Sequence, residues 1–169
     1  DLARLAVPAG WRVEVEEALP STNAALAERA RAGAEPGLVL VTEHQTAGRG
    51  RLDRTWETPA RSSLTLSVLL EPGVPADRWP WLPLLTGYAV HAALADRLPE
   101  IVLKWPNDVL VEERKVAGIL AELVETPSGQ MVVIGIGINV DHTLDELPIA
   151  LATSVVLESG EPVDRTQLL

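Results

Sequence analysis

Three arginines within fourteen residues are the first feature of this sequence that could do chemistry. Arg49, Arg51 and Arg54 lie in residues 43–56, here called the arginine loop, of a chain whose formal net charge is −10. Glycines flank Arg49 on both sides, so the backbone there is free to adopt positive φ and to lie close to a ligand. Each guanidinium presents a planar set of donors that suits a carboxylate or a phosphate. The segment predicts an anion-binding loop, with a solvated surface turn as the alternative.

Polar residues recur at two more predicted strand ends. They are Lys104, Asn107, Asp108 and Lys115 in one region and Asn139 in the other. Cations bring together anionic groups that would otherwise repel, and the carboxylate of Asp108 can hold Mg²⁺ through oxygen. Trp56 or Asn139 could engage a base by stacking or hydrogen bonding. These clusters fit a nucleotide-dependent reaction, although neither a Walker A sequence nor a G-x-G-x-x-G fingerprint is present.

Composition limits the classes of protein that this chain can represent. At 169 residues, with 47% hydrophobic and 22% charged residues, it fits one globular domain. No apolar run approaches the eighteen or so residues of a membrane span, and the first residues lack the order of a signal peptide, so we expect a cytoplasmic protein. The acidic charge argues against general nucleic-acid binding. Because there is no cysteine, disulfides, thiolate metal sites and cysteine nucleophiles are excluded.

The hydrophobic pattern predicts strands and helices that position the clusters. Alternation over residues 11–16 predicts a half-buried strand, and Ser21 is a good N-cap for a helix from Thr22 to Ala32. The sequence Ser21-Thr22-Asn23 can be that cap alone or a polar ligand site. The run 38–42 predicts a central strand that leads into the arginine loop, and residues 64–70 predict a second core strand.

The middle of the chain predicts one long helix followed by strands. Residues 79–98 read as a single helix that buries one apolar face. That predicted face consists of Leu84, Leu85, Tyr88, Ala92 and Ala95. His91 within this helix is interpreted as structural, because no acidic or histidine partner recurs at ligand spacing. Residues 102–111 predict strand, kink and strand, because Pro106 cannot join an interior ladder.

Two adjacent predicted strands, 115–124 and 131–140, carry glycines where side chains would be expected. Gly118, Gly135 and Gly137 weaken these strands, so either a ligand approaches the backbone there or a helix packs tightly on the sheet. Beyond Asp141 the pattern predicts loops, with Asp164 as an N-cap. Since the few residues after it are too short for a stable helix, we expect the natural protein to continue past Leu169.

Five ordered motifs give this sequence a specific resemblance. They are Ser21-Thr22-Asn23, Glu43-His44-Gln45-Thr46-Ala47-Gly48-Arg49-Gly50-Arg51, Lys104-Trp105-Pro106-Asn107-Asp108, Lys115-Val116-Ala117-Gly118-Ile119-Leu120 and Gly135-Ile136-Gly137-Ile138-Asn139. Together they resemble the motif set of biotin protein ligases. The resemblance implies an α/β (α+β) fold for residues 1–169, a mixed sheet backed by helices and similar to class II aminoacyl-tRNA synthetase catalytic domains.

The resemblance also implies a reaction in two steps. Biotin and ATP give biotinyl-5′-adenylate and pyrophosphate, and a lysine of a biotin carboxyl carrier domain then attacks the adenylate and releases AMP. The first step brings a carboxylate to an α-phosphate, so cations and Mg²⁺ must offset the repulsion between them.

The family's residue roles are carried over by motif position. Implied biotin contacts are Ser21, Thr22, Gln45 and the backbone at Gly48 and Arg49, with a wall around the apolar part of biotin formed by Gly118, Leu120 and Gly137. Implied ATP contacts are Arg51, Arg54, Trp56, Lys104, Asn107, Lys115 and Asn139. Implied catalytic residues are Lys115, Arg51 and Asp108, and Asp108, helped by Asn107, is the implied Mg²⁺ ligand.

The sequence departs from the family pattern in the arginine loop and at its ends. Asp53 stands where the family commonly has glycine, and its carboxylate could pair with a neighbouring arginine or tune closure of the loop. We expect no helix-turn-helix domain within these 169 residues, hence no nucleic-acid partner. The resemblance also implies a small C-terminal β-barrel domain, which we do not expect within this chain. An exposed sheet edge could serve a homodimer or the carrier domain.

Two competing functions remain open. A lipoate or octanoate ligase shares the superfamily, although the arginine loop resembles lipoate ligases poorly and the cysteine-dependent octanoyl transferases are excluded. A non-catalytic biotin-binding module would keep the ring-binding residues without the cations. The presence of Arg51, Asp108 and Lys115 argues against that alternative.

Overall fold

One seven-stranded sheet forms the centre of the molecule. The computed structural model describes residues 2–169. The strands are β1 (Arg12–Glu16), β2 (Leu38–Thr42), β3 (Ser63–Leu70), β4 (Ile101–Lys104), β5 (Asp108–Val111), β6 (Arg114–Thr126) and β7 (Gly129–Asn139). Their order is β1-β2-β3-β7-β6-β5-β4. Only the β1–β2 pair is parallel among the pairs in these residues, so the sheet is mixed, as predicted.

Helices cover both faces of this sheet. The α-helices are α1 (Thr22–Arg31), α2 (Leu82–Leu94), α3 (Val155–Ser159) and α4 (Arg165–Leu168). Helix α1 connects the parallel strands β1 and β2, as a crossover must, and begins at the predicted N-cap Ser21, whose hydroxyl accepts a hydrogen bond from the Ala24 amide. None of the helices in residues 2–169 has the length and apolar character needed to cross a bilayer.

Alternation along the strands divides the core into two layers. Leu69 and Val133 point to the face covered by α1, where Leu26 is fully buried against them. Their neighbours Val68 and Ile134 point to the opposite face, in the cluster that contains Val90 of α2. Because side chains alternate along a strand, each strand contributes to both layers. The residues of β6 and β7 on the α1 face therefore decide what lies beside the start of α1.

The predicted helix 79–98 is wrong in its bounds and in its buried face. A 3-10 helix, Ala76–Trp81, precedes α2, which ends at Leu94. The buried residues of α2 are Gly87, Val90 and Leu94, whereas Leu85 and Tyr88 of the predicted face are mostly exposed. Since α2 is apolar nearly all round, periodicity cannot identify the buried side.

The region after β7 contains more structure than predicted. Helix α3 begins at Ser154, whose hydroxyl accepts a hydrogen bond from the Leu157 amide, and was not predicted. Helix α4 begins at the predicted N-cap Asp164 and forms a single turn. Arg165 in this turn donates hydrogen bonds to Glu43 at 2.6 Å and to the Ser63 carbonyl at 3.1 Å. This terminal turn is therefore stabilised by the sheet and not by its own length.

His142, just after β7, is fully buried and should make stability depend on pH. Its Nε2 lies 3.2 Å from Ser62 Oγ, and its buried Nδ1 has no partner among the described residues. Burial lowers its pKa from the usual 6.5, against smaller opposing effects of Glu146 and Asp141. The unfolded chain therefore takes up the proton first, so the free energy of unfolding falls as pH drops from about 6.5 towards the lower folded pKa.

We predict that His142→Gln removes this part of the pH dependence, because glutamine does not titrate. Urea unfolding of both proteins between pH 7.5 and pH 5 measures how the free energy of unfolding changes with pH. This dependence should be weaker in the variant. Equal slopes in the variant and the parent would show that His142 does not carry the effect.

Candidate active site

A large cavity lies on the α1 face of the sheet, beside the start of that helix. Its volume is about 900 Å³. Its walls come from the start of α1, the arginine loop, the β4–β5 connection, the middle of β6 and β7, and residues 148–152. Every predicted site residue except Gly48 lines it. The structure thus brings together clusters that are distant in sequence.

The arginine loop folds back on itself as a tight hairpin at the cavity rim. The Trp56 amide donates to the Gly48 carbonyl at 2.9 Å, and the Gly50 amide donates to the Arg54 carbonyl at 2.6 Å. A Cβ on Gly48 would lie 2.2 Å from the Trp56 carbonyl oxygen. Gly48 is therefore needed for closure of the loop and is not exposed to the cavity.

Asp53 occupies a backbone conformation that explains its departure from the family pattern. Leu52 and Asp53 have φ values of 57° and 58°, in the left-handed region that glycine adopts without strain. Aspartate is among the side chains that tolerate this region best. Within residues 2–169 no ion pair joins Asp53 to Arg51 or Arg54, so pairing with a neighbouring arginine is not seen.

Three cations on the cavity wall have no carboxylate partner within 4.0 Å among the described residues. They are Arg51, Arg54 and Lys104. Many other arginines of this acidic chain are paired, for example Arg61 with Glu17 at 2.6 Å. Cations without a protein counter-charge around a concave site attract anionic ligands.

Lys115 and Asp108 form an ion pair inside the cavity. Lys115 Nζ lies 2.7 Å from Asp108 Oδ1 and 5.5 Å from the centroid of the Trp56 ring. The Lys115 backbone is held by two hydrogen bonds, its amide donating to the Leu151 carbonyl and its carbonyl accepting from the Thr153 amide. Residues 151–153 thus fix the position of the Lys115 backbone. The side-chain ammonium is not held by these bonds and can change partners.

The indole of Trp56 lies on the backbone of two paired glycines. Gly118 and Gly137 are opposite each other in β6 and β7, and a Cβ on Gly137 would lie 2.6 Å from the indole. The indole Nε1 is buried without a hydrogen-bond partner among the described residues. Sequence reasoning predicted a biotin wall at these glycines and an adenine contact at Trp56. In this conformation the indole occupies the space in front of that wall.

The third glycine, Gly135, lines the cavity and also lies against helix α1. A Cβ on Gly135 would lie 2.3 Å from Asn23 Oδ1 of α1. The helix-packing explanation offered for the bare glycines in these strands therefore applies at Gly135, whereas Gly118 and Gly137 lie against the Trp56 indole. Asn23 itself is buried, and no role was predicted for it although it belongs to the first motif.

Polar side chains connect the start of α1 to the arginine loop. Gln45 Oε1 accepts hydrogen bonds from the Thr22 amide at 2.8 Å and from the Thr22 hydroxyl at 3.1 Å. Ser21 caps the helix, as predicted, and lines the cavity as well. The cap predicted for this motif is thus also part of the cavity wall.

The two predicted asparagines hold neighbouring backbone in place. Asn107 Nδ2 donates to the Ile119 carbonyl at 2.9 Å, which fixes the β4–β5 connection against β6. Asn139 Nδ2 donates to the Thr153 carbonyl at 2.9 Å. The latter bond attaches the segment that also holds Lys115.

Several cavity residues were missed by sequence reasoning. They are Asn23, Glu113, Pro148, Ile149, Leu151 and Ala152. Residues 148–152 carry no periodic or motif signal, and they reach the site through the pairing of Ala152 with Lys115. Among residues 2–169 no group of three or more potential metal-binding His, Cys, Asp or Glu side chains exists, so Asp108 would be a lone carboxylate ligand.

Comparison with known proteins agrees with this geometry. The biotin/lipoate A/B protein ligase family matches residues 15–139. The biotin–[acetyl-CoA-carboxylase] ligase of Mycobacterium tuberculosis is 45% identical over 145 residues, covering 82% of this chain and 53% of the relative. The bifunctional ligase/repressor BirA of Bacillus spizizenii is 36% identical over 165 residues, covering 95% and 51%. The chain thus spans about half the length of these relatives.

Solved structures give the same result. Biotin protein ligase from Aquifex aeolicus, in complex with biotin and ATP, has a TM-score of 0.80 at 34% identity, with coverage of 93% of this chain and 65% of the other. Biotin protein ligase from Leishmania major, in complex with biotinyl-5-AMP, has a TM-score of 0.76 at 26% identity, with coverage of 93% and 70%.

The fold and the cavity define an α/β domain that presents cations above bare strand backbone. The chain belongs to the biotin/lipoate A/B protein ligase family. The predicted resemblance to the catalytic domain of biotin protein ligases, and the predicted mixed sheet backed by helices, are both confirmed.

We predict that Gly135→Ala lowers the free energy of unfolding by about 1–3 kcal/mol, because the new methyl group meets the fixed amide of Asn23. Urea denaturation measures the change. Gly73→Ala is the matched control, since a Cβ there has nothing within 4 Å, and it should change stability by about 0.5 kcal/mol or less. Similar effects of the two substitutions would contradict the assigned contact.

Proposed function

We propose that this chain carries the catalytic site of a biotin protein ligase. Biotin is activated with ATP to biotinyl-5′-AMP and then transferred to a lysine of a biotin carboxyl carrier domain. The observation that carries the proposal is the Lys115–Asp108 pair, beside three unpaired cations and two bare glycines in one cavity. Relatives named as biotin ligases, and a similar structure in complex with biotin and ATP, support it.

In the first step a carboxylate oxygen of biotin attacks the α-phosphorus of ATP. A bond between that oxygen and phosphorus forms, the bond from phosphorus to pyrophosphate breaks, and negative charge builds on the phosphoryl oxygens. Arg51, Arg54 and Lys104 are available to hold these anions because no described carboxylate neutralises them. Fixed cations that face developing charge are among the largest contributions to catalysis.

The ion pair gives Lys115 and Asp108 linked roles. In this structure each neutralises the other at 2.7 Å. When phosphates enter, the ammonium of Lys115 gains stronger acceptors and can turn to them, which releases the Asp108 carboxylate.

The residues present fit a magnesium site of the kind that substrate phosphates complete. Asp108 supplies a buried carboxylate oxygen that already faces a cation, and one or two carboxylates with phosphates are the usual ligands of Mg²⁺ in such sites. Mg²⁺ would supply neutralisation of phosphate charge. Asp108 would hold it, with Asn107 keeping the β4–β5 connection in place.

Trp56 must change position for biotin to reach Gly118 and Gly137. Its indole lies on these glycines. Since the indole Nε1 has no hydrogen-bond partner among the described residues, no such bond is broken when the indole moves away. The apolar part of biotin can then replace the indole on the bare backbone, and the indole becomes available to stack on adenine.

In the second step the acceptor lysine attacks the carbonyl carbon of the mixed anhydride. A carbon–nitrogen bond forms, the bond to the AMP oxygen breaks, and the amine loses its proton. Asp108 could accept that proton only when it is not holding a metal, since a metal-bound carboxylate is a poor base. In this proposal the acceptor is the carrier domain of a cytoplasmic carboxylase. The exposed sheet edge could serve either that domain or a homodimer.

We predict biotin-dependent exchange between ATP and pyrophosphate. The chain should catalyse the exchange of labelled pyrophosphate into ATP when biotin is present. It should not do so when lipoate or octanoate replaces biotin. Lys115→Ala should slow it by about 100-fold or more, because a cation at the reacting centre is lost. Exchange with lipoate or octanoate and none with biotin would assign the chain to the other branch of the family. Biotin binding without any exchange would indicate a binding module.

We predict that Arg51→Gly releases the adenylate before transfer. The substitution removes an unpaired cation from the rim of the arginine loop, so the intermediate should escape and label lysines of a bystander protein such as serum albumin. Biotin on the bystander, measured by streptavidin blot, should rise about tenfold or more above the parent. Arg97→Gly, in an exposed turn after α2, is the control and should match the parent. Equal labelling by Arg51→Gly and the parent would show that this residue does not retain the intermediate.

A further inference from the structure

Glu122 is a charged residue that lies behind the cavity wall. It contacts residues that line the cavity but does not line it itself. It lies on β6 two residues after Leu120, and strand alternation puts it on the same face of the sheet as Gly118 and Leu120. Its side chain is 31% exposed. Its carboxylate contacts Asn23 and Arg49, and both of these residues line the cavity.

One oxygen of Glu122 joins two elements. Oε2 accepts a hydrogen bond from Asn23 Nδ2 at 2.7 Å and another from Arg49 Nη2 at 2.7 Å. Asn23 belongs to the first turn of α1, and Arg49 is the first arginine of the loop. The carboxylate therefore fastens the arginine loop to the helix that begins beside the cavity.

The orientation of Asn23 is fully determined by its partners. Its Nδ2 also donates to the Leu120 carbonyl at 3.1 Å, and its Oδ1 lies 2.6 Å from the hydroxyl of Ser67. The side chain is almost completely buried and lies against Gly135, where no side chain could fit. Both amide hydrogens of Asn23 are thus used, and without Glu122 one of them would lose its acceptor.

The other end of the same segment is attached to α1 as well. Gln45 is bound to Thr22, as described above, and the Thr22 hydroxyl lies 2.8 Å from that of Ser67. A continuous set of polar contacts therefore runs beneath the cavity from Gln45 to Arg49. Glu122 is its one acidic member, and Arg49 is the cation that it neutralises.

We infer that Glu122 is a positioning residue for residues 45–49 and thereby sets the affinity of the site for biotin. The inference rests on the proposed function, in which biotin binds in the cavity that Gln45 and Arg49 line. Pairing the Arg49 side chain with Glu122 directs the guanidinium towards β6 and leaves the backbone for the ligand. Arg51 and Arg54, which lack such a partner among the described residues, remain available for phosphates.

The test compares Glu122→Ala and Glu122→Gln with the parent in biotin-dependent pyrophosphate exchange. Glu122→Ala should raise KM for biotin about tenfold, while kcat and KM for ATP stay within about twofold. Glu122→Gln keeps an acceptor oxygen and should recover part of the loss. Glu125→Ala is the matched control, because Glu125 is an exposed residue of β6 that bonds only to Gln130 among the described residues, and it should match the parent.

Amide hydrogen exchange gives a measurement that does not need the proposed activity. The Gly50 and Trp56 amides close the hairpin next to Arg49, so both should exchange about tenfold faster in Glu122→Ala while amides of β3 stay unchanged. An unchanged biotin KM, or an equal rise in KM for ATP, would overturn the inference. If the parent showed no ATP–pyrophosphate exchange, the proposed function would be refuted. In that case unchanged amide hydrogen exchange in both Glu122 variants would refute the inference independently.

Discussion

The site depends on keeping a few cations without protein counter-charges in a chain with a formal net charge of −10. Acidic residues outnumber basic ones by 24 to 14, so carboxylate partners for arginines are plentiful in this chain. In the arginine loop Asp53 lies between Arg51 and Arg54 in sequence and has a left-handed backbone conformation, and it forms no ion pair with either arginine among the described residues. Arg49, two residues before Arg51, is neutralised by Glu122. Within one short loop the structure thus separates a cation used for anchoring from cations available to a ligand.

The second requirement is bare backbone beneath those cations. Gly118 and Gly137 provide it where β6 and β7 pair, and Trp56 covers it in this conformation. An apolar indole on exposed peptide groups limits the apolar surface in contact with water, while its Nε1 is left without a partner. A ligand with an apolar chain can make the same contact, so the cost of uncovering the glycines is largely recovered when it binds. The ion pair of Lys115 and Asp108 is comparable, because each side chain neutralises the other and phosphates of a ligand can replace Asp108 as the partner of Lys115.

Sequence reasoning predicted the mixed sheet and the members of the cavity wall where local signals were strong. Ser21 was identified as a cap, and residues 38–42 form β2 as predicted. It failed where the deciding contact is distant in sequence. The buried face of α2 carries Gly87, Val90 and Leu94, and Gly87 lies against Ile119 and Leu103. An apolar helix gives no periodic sign of which face is buried. Residues 148–152 reach the cavity only through pairing with Lys115, and Glu122 gains its role from two partners that no spacing rule connects to it.

The pairing of β6 with β7 has a consequence for the fidelity of folding. In the native register Ile119 opposes Ile136 and points to the α2 core, while Gly118 opposes Gly137 on the other face. A slip of one residue in one strand would exchange its two faces, placing isoleucines in the cavity and glycines in the core. The same error would therefore destroy the hydrophobic layer and fill the site. Selection for a stable core on one side of this hairpin also preserves an open cavity on the other, without a separate safeguard for each.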